Sequence, residues 1–130
     1  MSIEKVTQYF KTLGIENRIQ TFDVSSATVE LAAKAIGVEG QRIAKTLSFL
    51  VNESAVLIVV AGDARIDNKK FKEFFHLKAK MLTYEQVDEM IGHSVGGVCP
   101  FAVNEGVKVY LDESLKRFDT VFPACGSSNS

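Results

Sequence analysis

Several features that mark other protein classes are scarce in this chain of 130 residues. Its longest apolar stretch, residues 55–61, is far too short to span a bilayer. Fifteen basic and sixteen acidic side chains give a formal net charge of -1, so no global field draws the chain to nucleic acid or to an anionic membrane. Residues 1–5 lack the layout of a signal peptide, which predicts a cytoplasmic protein with no membrane partner.

Cysteine and ligand-binding motifs are equally sparse. The two cysteines, Cys99 and Cys125, are expected to be reduced thiols because no secretory signal precedes them, although their pairing stays open. Together with His93 they lack the CxxC or HExxH spacing of a zinc site, so we predict no metal. Neither GxGxxG nor GxxxxGK[ST] occurs, which argues against a phosphate loop, and we predict no cofactor.

What the chain does contain is a regular succession of short elements without repeats or a linker. Hydrophobic residues make up 46% of it, which predicts one compact domain over residues 1–130. Periodicity and capping residues predict helices at 3–13, after Ser25 or Ser26, after Asp67, and after the Thr83-x-x-Gln86 capping box. Alternation and apolar runs predict strands at 18–22, 44–51, 55–61, 80–82, 107–111 and 120–122.

The order of these elements indicates the fold class. Strands outnumber helices, and the runs at 44–51 and 55–61 are joined by a turn of three residues, as in a hairpin. We therefore predict an α+β fold with a mixed, mostly antiparallel central sheet flanked by helices.

Lys45 is the most unusual residue, because it lies alone in the apolar run Ile43-Ala44-Lys45-Thr46-Leu47. An ammonium group in a buried strand loses hydration worth several kcal/mol unless a partner or a water-filled pocket compensates it. Lys45 is therefore either a functional residue or one whose ammonium group reaches water while its methylene groups stay buried.

A glycine-rich connection provides the second chemical feature. The segment Gly96-Gly97-Val98-Cys99-Pro100 combines residues that let the backbone approach a ligand with a proline that stiffens the exit. Exposed N–H groups in such a loop can stabilise an oxyanion, although most glycine-rich connections are simple turns.

Taken together, these residues resemble a known family. The Lys45-Thr46-Leu47 strand after an alanine-rich helix, the Gly62-Asp63-Ala64-Arg65 turn, the Gly96-x-x-x-Pro100 loop and the late Gly126 are similar to the YbaK/ProX aminoacyl-tRNA deacylases. That family includes the editing domain of bacterial prolyl-tRNA synthetases, and the likeness runs from about residue 22 to 126.

The resemblance implies a trans-editing hydrolase that removes alanine or cysteine from mischarged tRNA, most often the proline tRNA. It places the acceptor end of the tRNA in the pocket, allows prolyl-tRNA synthetase as a partner, and is compatible with a monomer. The implied catalytic residues are Lys45, Gly96 and Gly97. The implied substrate-binding residues are Phe22, Thr46, His93, Cys99, Pro100 and Gly126.

Three departures from the family pattern bear on this assignment. Ala102 replaces a glycine that is common after the loop proline, and Cys99 occupies a place often held by serine. Relatives usually continue beyond Gly126-Ser127-Ser128-Asn129-Ser130 into a final strand and helix, so we expect that such elements are missing here.

Several alternatives follow from the same residues. His93 is either a proton carrier, a hydrogen-bond donor to the ribose, or a structural residue at a helix end. Cys99 paired with His93 would be a thiol nucleophile. The lysine cluster that includes Lys69, Lys70 and Lys72 is either a tRNA contact or a solvated helix face. The whole domain could also be a non-catalytic module that binds tRNA, a nucleotide or a synthetase.

Overall fold

The computed structural model describes residues 2–130 as helices packed on one sheet. The helices are α1 (Ser2–Leu13), α2 (Val29–Ile36), α3 (Asn68–Phe75) and α4 (Tyr84–Gln86), the last continuing as a π turn over Val87–Ile91. The strands are β1 (Ile43–Val51), β2 (Ser54–Ala61), β3 (Lys108–Leu111) and β4 (Phe122–Pro123). Short 3₁₀ turns lie at Glu16–Arg18, Gly40–Arg42 and Glu113–Arg117.

The four strands form one sheet in the order β3-β2-β1-β4. The β1–β2 hairpin is antiparallel, with Lys45 opposite Val60, whereas β3 pairs with β2 and β4 pairs with β1 in parallel. The predicted α+β class is confirmed, but the expectation of a mostly antiparallel sheet is wrong. β3 and β4 enter after long connections rather than tight turns, and such connections permit parallel pairing.

Alternation along β1 and β2 separates two layers of the core. Phe49, Ile58 and Val60 point to one face, where Phe71 of α3 covers them. Leu57 lies on the opposite face, against the segment that contains Leu82, Val87 and Ile91. Because both faces of the hairpin are covered, seven of the eight residues of β2 are buried, which explains its uninterrupted apolar sequence.

Local signals were reliable where a side chain caps the backbone beside it. Thr83 and Gln86 form the predicted capping box, with Thr83 Oγ1 accepting from the Gln86 N–H at 3.2 Å. Asp67 caps α3 by accepting from the Lys70 N–H. These bonds involve residues only three positions apart, so the sequence alone contains all of their determinants.

Two local predictions are wrong. The predicted strand at 18–22 is a 3₁₀ turn followed by irregular chain, and the cap of α2 is Thr28 rather than Ser25 or Ser26. Ser26 is instead held by the end of the chain, because its N–H donates to the Ser128 carbonyl at 2.7 Å. A contact between segments a hundred residues apart leaves no local pattern from which to predict it.

Candidate active site

A large cavity opens beside the outer edge of β1. Its volume is about 1130 Å³, slightly above the range typical of small-molecule sites. Its walls come from α1, from residues 17–22, from the N-terminal end of α2, from β1 and β4, and from the loop around Val95 and Gly96. Most of this lining is apolar, with a few polar groups between.

Strand β1 brings Lys45 and Thr46 to this cavity. Both residues are half-buried, and because they are adjacent in a strand their side chains leave opposite faces of the sheet. The hydroxyl of Thr46 is buried and has no hydrogen-bond partner among residues 2–130. The strand therefore presents two different polar groups to a mostly apolar space.

The charge of the cavity lining is positive. Among the described residues that line it, Arg18 and Lys45 carry positive charge, and none is an aspartate or a glutamate. Arg18 is exposed and belongs to the 3₁₀ turn after α1. Two cationic side chains without a lining aspartate or glutamate favour an anionic ligand such as a phosphodiester.

An ion pair between Arg117 and Asp63 lies near Lys45. Arg117 binds both carboxylate oxygens of Asp63, at 2.6 and 3.1 Å. These hydrogen bonds hold the pKa of Asp63 below its ordinary value, and the ammonium of Lys45 adds a smaller contribution in the same direction. Lys45 itself makes no ion pair within residues 2–130.

The glycine loop closes one side of the cavity, and its two glycines have different roles. Gly96 lines the cavity with a φ of 97°. The Gly97 N–H instead donates to the Ser94 carbonyl at 3.0 Å, so it is not free to bind a substrate oxygen. A Cβ on Gly97 would lie 2.6 Å from the Ser127 backbone nitrogen, which shows how closely the loop packs on the chain end.

His93 and Cys99 lie behind this loop, fully buried, and neither lines the cavity. His93 Nε2 lies 2.7 Å from the Phe101 carbonyl, so this nitrogen carries the proton and donates it. Burial lowers the pKa of His93 and raises the pKa of the Cys99 thiol to about 12.

Although the Cys99 sulfur lies 3.5 Å from His93 Nε2, that nitrogen is already protonated and cannot act as its base. The arrangement therefore argues against a thiol nucleophile, and it argues against proton transfer by His93 to a ligand in the cavity.

Ala102 has a backbone conformation that favours glycine. Its φ of 51° lies in the left-handed region, which costs a residue with a Cβ about 1–2 kcal/mol. We expect Ala102→Gly to raise the free energy of unfolding by about 0.5–1 kcal/mol, since relief of strain exceeds the added entropy of the unfolded chain.

Urea denaturation measures this effect. Ala35→Gly in α2 is the matched control, and it should lower the free energy of unfolding by about 0.5–1 kcal/mol because its backbone is helical. A destabilised Ala102→Gly protein would contradict the conformational explanation.

The structure thus brings together only some of the residues singled out in the sequence. Phe22, Lys45, Thr46 and Gly96 line the cavity, whereas Gly97, Pro100 and Gly126 lie outside its lining. Lys69, Lys70 and Lys72 are exposed on α3 and do not reach the cavity either. Arg18 was missed, because a cation at the first position of a predicted strand gives no signal of its own.

Two broader properties concern the described part of the chain. No helix within residues 2–130 is long and apolar enough to cross a membrane. Within the same residues, no group of three or more His, Cys, Asp or Glu side chains could hold a metal ion, and both cysteines are free thiols.

Comparisons with known proteins identify the family of this chain. A model of the aminoacyl-tRNA editing domain matches residues 23–130. The uncharacterized protein YwhH of Bacillus subtilis (strain 168) is 54% identical over 131 residues, which cover 100% of this chain and 83% of that protein. The proline–tRNA ligase of Aquifex aeolicus (strain VF5) is 32% identical over 90 residues, which cover 68% of this chain and 16% of the ligase.

Solved structures are similar over nearly the whole chain. The crystal structure of a proposed trans-editing enzyme for prolyl tRNA synthetase superposes with a TM-score of 0.88 and 31% identity, covering 98% of this chain and 82% of that one. The hypothetical protein APE2540 gives a TM-score of 0.86 at 29% identity, covering 96% and 84%. The fold, the cavity beside β1 and the family match lead to one conclusion: this chain belongs to the aminoacyl-tRNA editing domain family.

Proposed function

We propose that this protein is a trans-editing hydrolase that removes alanine or cysteine from mischarged proline tRNA. It would act as a monomer in the cytoplasm, where it prevents mistranslation, with or without recruitment by prolyl-tRNA synthetase. The proposal rests on the family match and on one observation above all, that Lys45 and Gly96 line the same cavity.

The chemical character of the cavity supports an acylated nucleotide end as the ligand. Phosphodiester groups are anionic, and Arg18 and Lys45 supply positive charge without an aspartate or glutamate in the described lining. Phe22 offers an aromatic surface at the same cavity, which suits the flat face of a base. Lys69, Lys70 and Lys72 would contact phosphates farther along the tRNA, because they are exposed on α3.

Hydrolysis of an aminoacyl ester requires few catalytic groups, because the ester is already an activated bond. Water adds to the ester carbonyl, the resulting oxyanion needs a hydrogen-bond donor, and collapse releases the amino acid and the ribose hydroxyl, which takes up a proton. We assign the donor role to the N–H of Gly96, since the Gly97 N–H is occupied by Ser94. Lys45 would hold the terminal nucleotide so that one face of the ester carbonyl is open to water.

Deacylation of a panel of tRNAs tests the function directly. Purified protein is mixed with proline tRNA carrying alanine, cysteine or proline, and the loss of the labelled amino acid is followed with time. We expect faster release of alanine or cysteine than of proline. Binding of the mischarged tRNA without release would instead identify a non-catalytic module, and equal release of all three would contradict editing.

A further inference from the structure

The outer edge of β1 contains a gap one residue wide at Thr46. On one side of the gap, Ala44 pairs with Pro123 of β4. On the other side, Phe49 forms an isolated bridge with Met81, and two hydrogen bonds flank that bridge. Between these two contacts no strand residue lies opposite Thr46 on this edge, and the cavity begins there.

The orientation of the Thr46 backbone follows from its neighbours. The Leu50 N–H donates to the Lys80 carbonyl at 2.9 Å, and the Ser48 carbonyl accepts from the Leu82 N–H at 3.2 Å. The backbone groups of Ser48 and Leu50 therefore point away from β2. Alternate residues of a strand direct these groups to the same side, so the N–H and C=O of Thr46 also point outward, into the gap.

Thr46 consequently offers three polar groups to a ligand. Its backbone N–H is a donor, its C=O is an acceptor, and its buried hydroxyl lacks a partner within residues 2–130. Unpaired backbone groups at a sheet edge favour pairing with another extended chain. Here the gap accepts one residue only, because β4 and the Met81 bridge block further pairing on either side.

An aminoacyl ester has the shape of such a residue. Its α-ammonium, Cα and carbonyl repeat the N–Cα–C=O sequence of a peptide unit, with a donor and an acceptor at the same spacing. The α-ammonium can donate to the Thr46 carbonyl while the ester carbonyl accepts from the Thr46 N–H. A carbonyl oxygen has two lone pairs, so this bond leaves one for the Gly96 N–H assigned above. A side chain opposite Thr46 would lie on the same face of the sheet as the Thr46 hydroxyl.

We propose that the aminoacyl group binds as a one-residue strand in the gap of β1, paired with the backbone of Thr46. This inference rests on the proposed function for the identity of the ligand. It assigns recognition of the α-amine to the backbone, and it makes the Thr46 side chain a neighbour of the amino acid that is removed. Any L-amino acid could form the backbone pair, so discrimination would come from the space beside the hydroxyl.

A non-hydrolysable analogue tests the pairing without requiring catalysis. The probe is 3′-amino-3′-deoxyadenosine acylated with L-alanine, and the matched control carries a propionyl group, which lacks the α-amine. Hydrogen exchange of single amides is measured by NMR with and without each compound. We expect the free Thr46 amide to exchange rapidly and to become protected by the alanyl probe. The propionyl compound should bind about 10- to 100-fold more weakly, because it loses a charge-assisted hydrogen bond.

The Leu50 amide is the internal control, since it lies on the same edge and is already bonded to Lys80. Its protection should not change with either compound. Equal affinity for the two compounds, an alanyl probe that binds without protecting Thr46, or no binding of the probe would each overturn the proposal. Deacylation is assayed separately. If the protein is active but its Thr46 amide does not respond to the alanyl probe, the editing function stands and only the strand pairing is refuted.

Discussion

Replacing Lys45 with alanine is expected to lower the rate of deacylation about a hundredfold, because the terminal nucleotide that Lys45 holds would no longer be positioned for reaction. Lys45 is one of two cations that line the cavity, and it makes no ion pair within residues 2–130 that would give it a structural role. Single-turnover hydrolysis of alanylated proline tRNA measures the loss. The free energy of unfolding should change little, because the side chain is only half-buried.

Lys34→Ala is the matched control for this substitution. Lys34 is exposed on α2 and does not line the cavity, so its removal changes the net charge equally without altering the site. It should retain the activity of the unmodified protein. If Lys45→Ala hydrolyses the substrate at the normal rate, the assignment of Lys45 to the active site is wrong.

Gly97→Ala should have the second large effect, for a steric rather than an electrostatic reason. The added Cβ would lie 2.6 Å from the Ser127 nitrogen, 2.7 Å from the Gly126 carbonyl carbon and 2.9 Å from the Ser127 Cα. All three are backbone atoms, so no side chain can rotate away. We expect a loss of about 1–3 kcal/mol in the free energy of unfolding, as for other overpacked sites. Activity should fall about a hundredfold as the neighbouring Gly96 is displaced.

Thermal or urea unfolding together with the deacylation assay measures both effects. Gly40→Ala provides the comparison, because its Cβ would meet only the Val29 side chain, at 3.4 Å, and Gly40 does not line the cavity. That variant should be close to the unmodified protein in both measurements. A stable and active Gly97→Ala protein would show that the loop does not pack on the chain end as described.

The sequence predicts β1 and β2 correctly. Their apolar runs and the short turn between them predicted the hairpin, because the determinants of a hairpin lie within one continuous segment. The parallel partners β3 and β4 could not be predicted in the same way. Each joins the sheet after a long excursion, and the direction of such a strand depends on what the intervening chain packs against.

Some residues of the candidate site could likewise be identified from the sequence, and others could not. Lys45 could be identified because a lone charge in an apolar strand conflicts with its local surroundings. The distinct roles of Gly96 and Gly97 could not, because they depend on a hydrogen bond to Ser94 and on contact with Ser127. The burial of His93 and Cys99 behind the loop could not be predicted either, because nothing in the neighbouring sequence indicates it.

By itself, then, the sequence determined the helices, the caps of α3 and α4, the central hairpin and the one charged residue that conflicts with its strand. Those features depend on side chains a few positions apart, whose spacing is written in the chain. Only the tertiary structure decided which groups face the cavity, that Arg18 joins Lys45 there, and that the edge of β1 is left open at Thr46. A cavity and an unpaired edge are relations between distant segments, and they exist only once the packing of those segments has left a space between them.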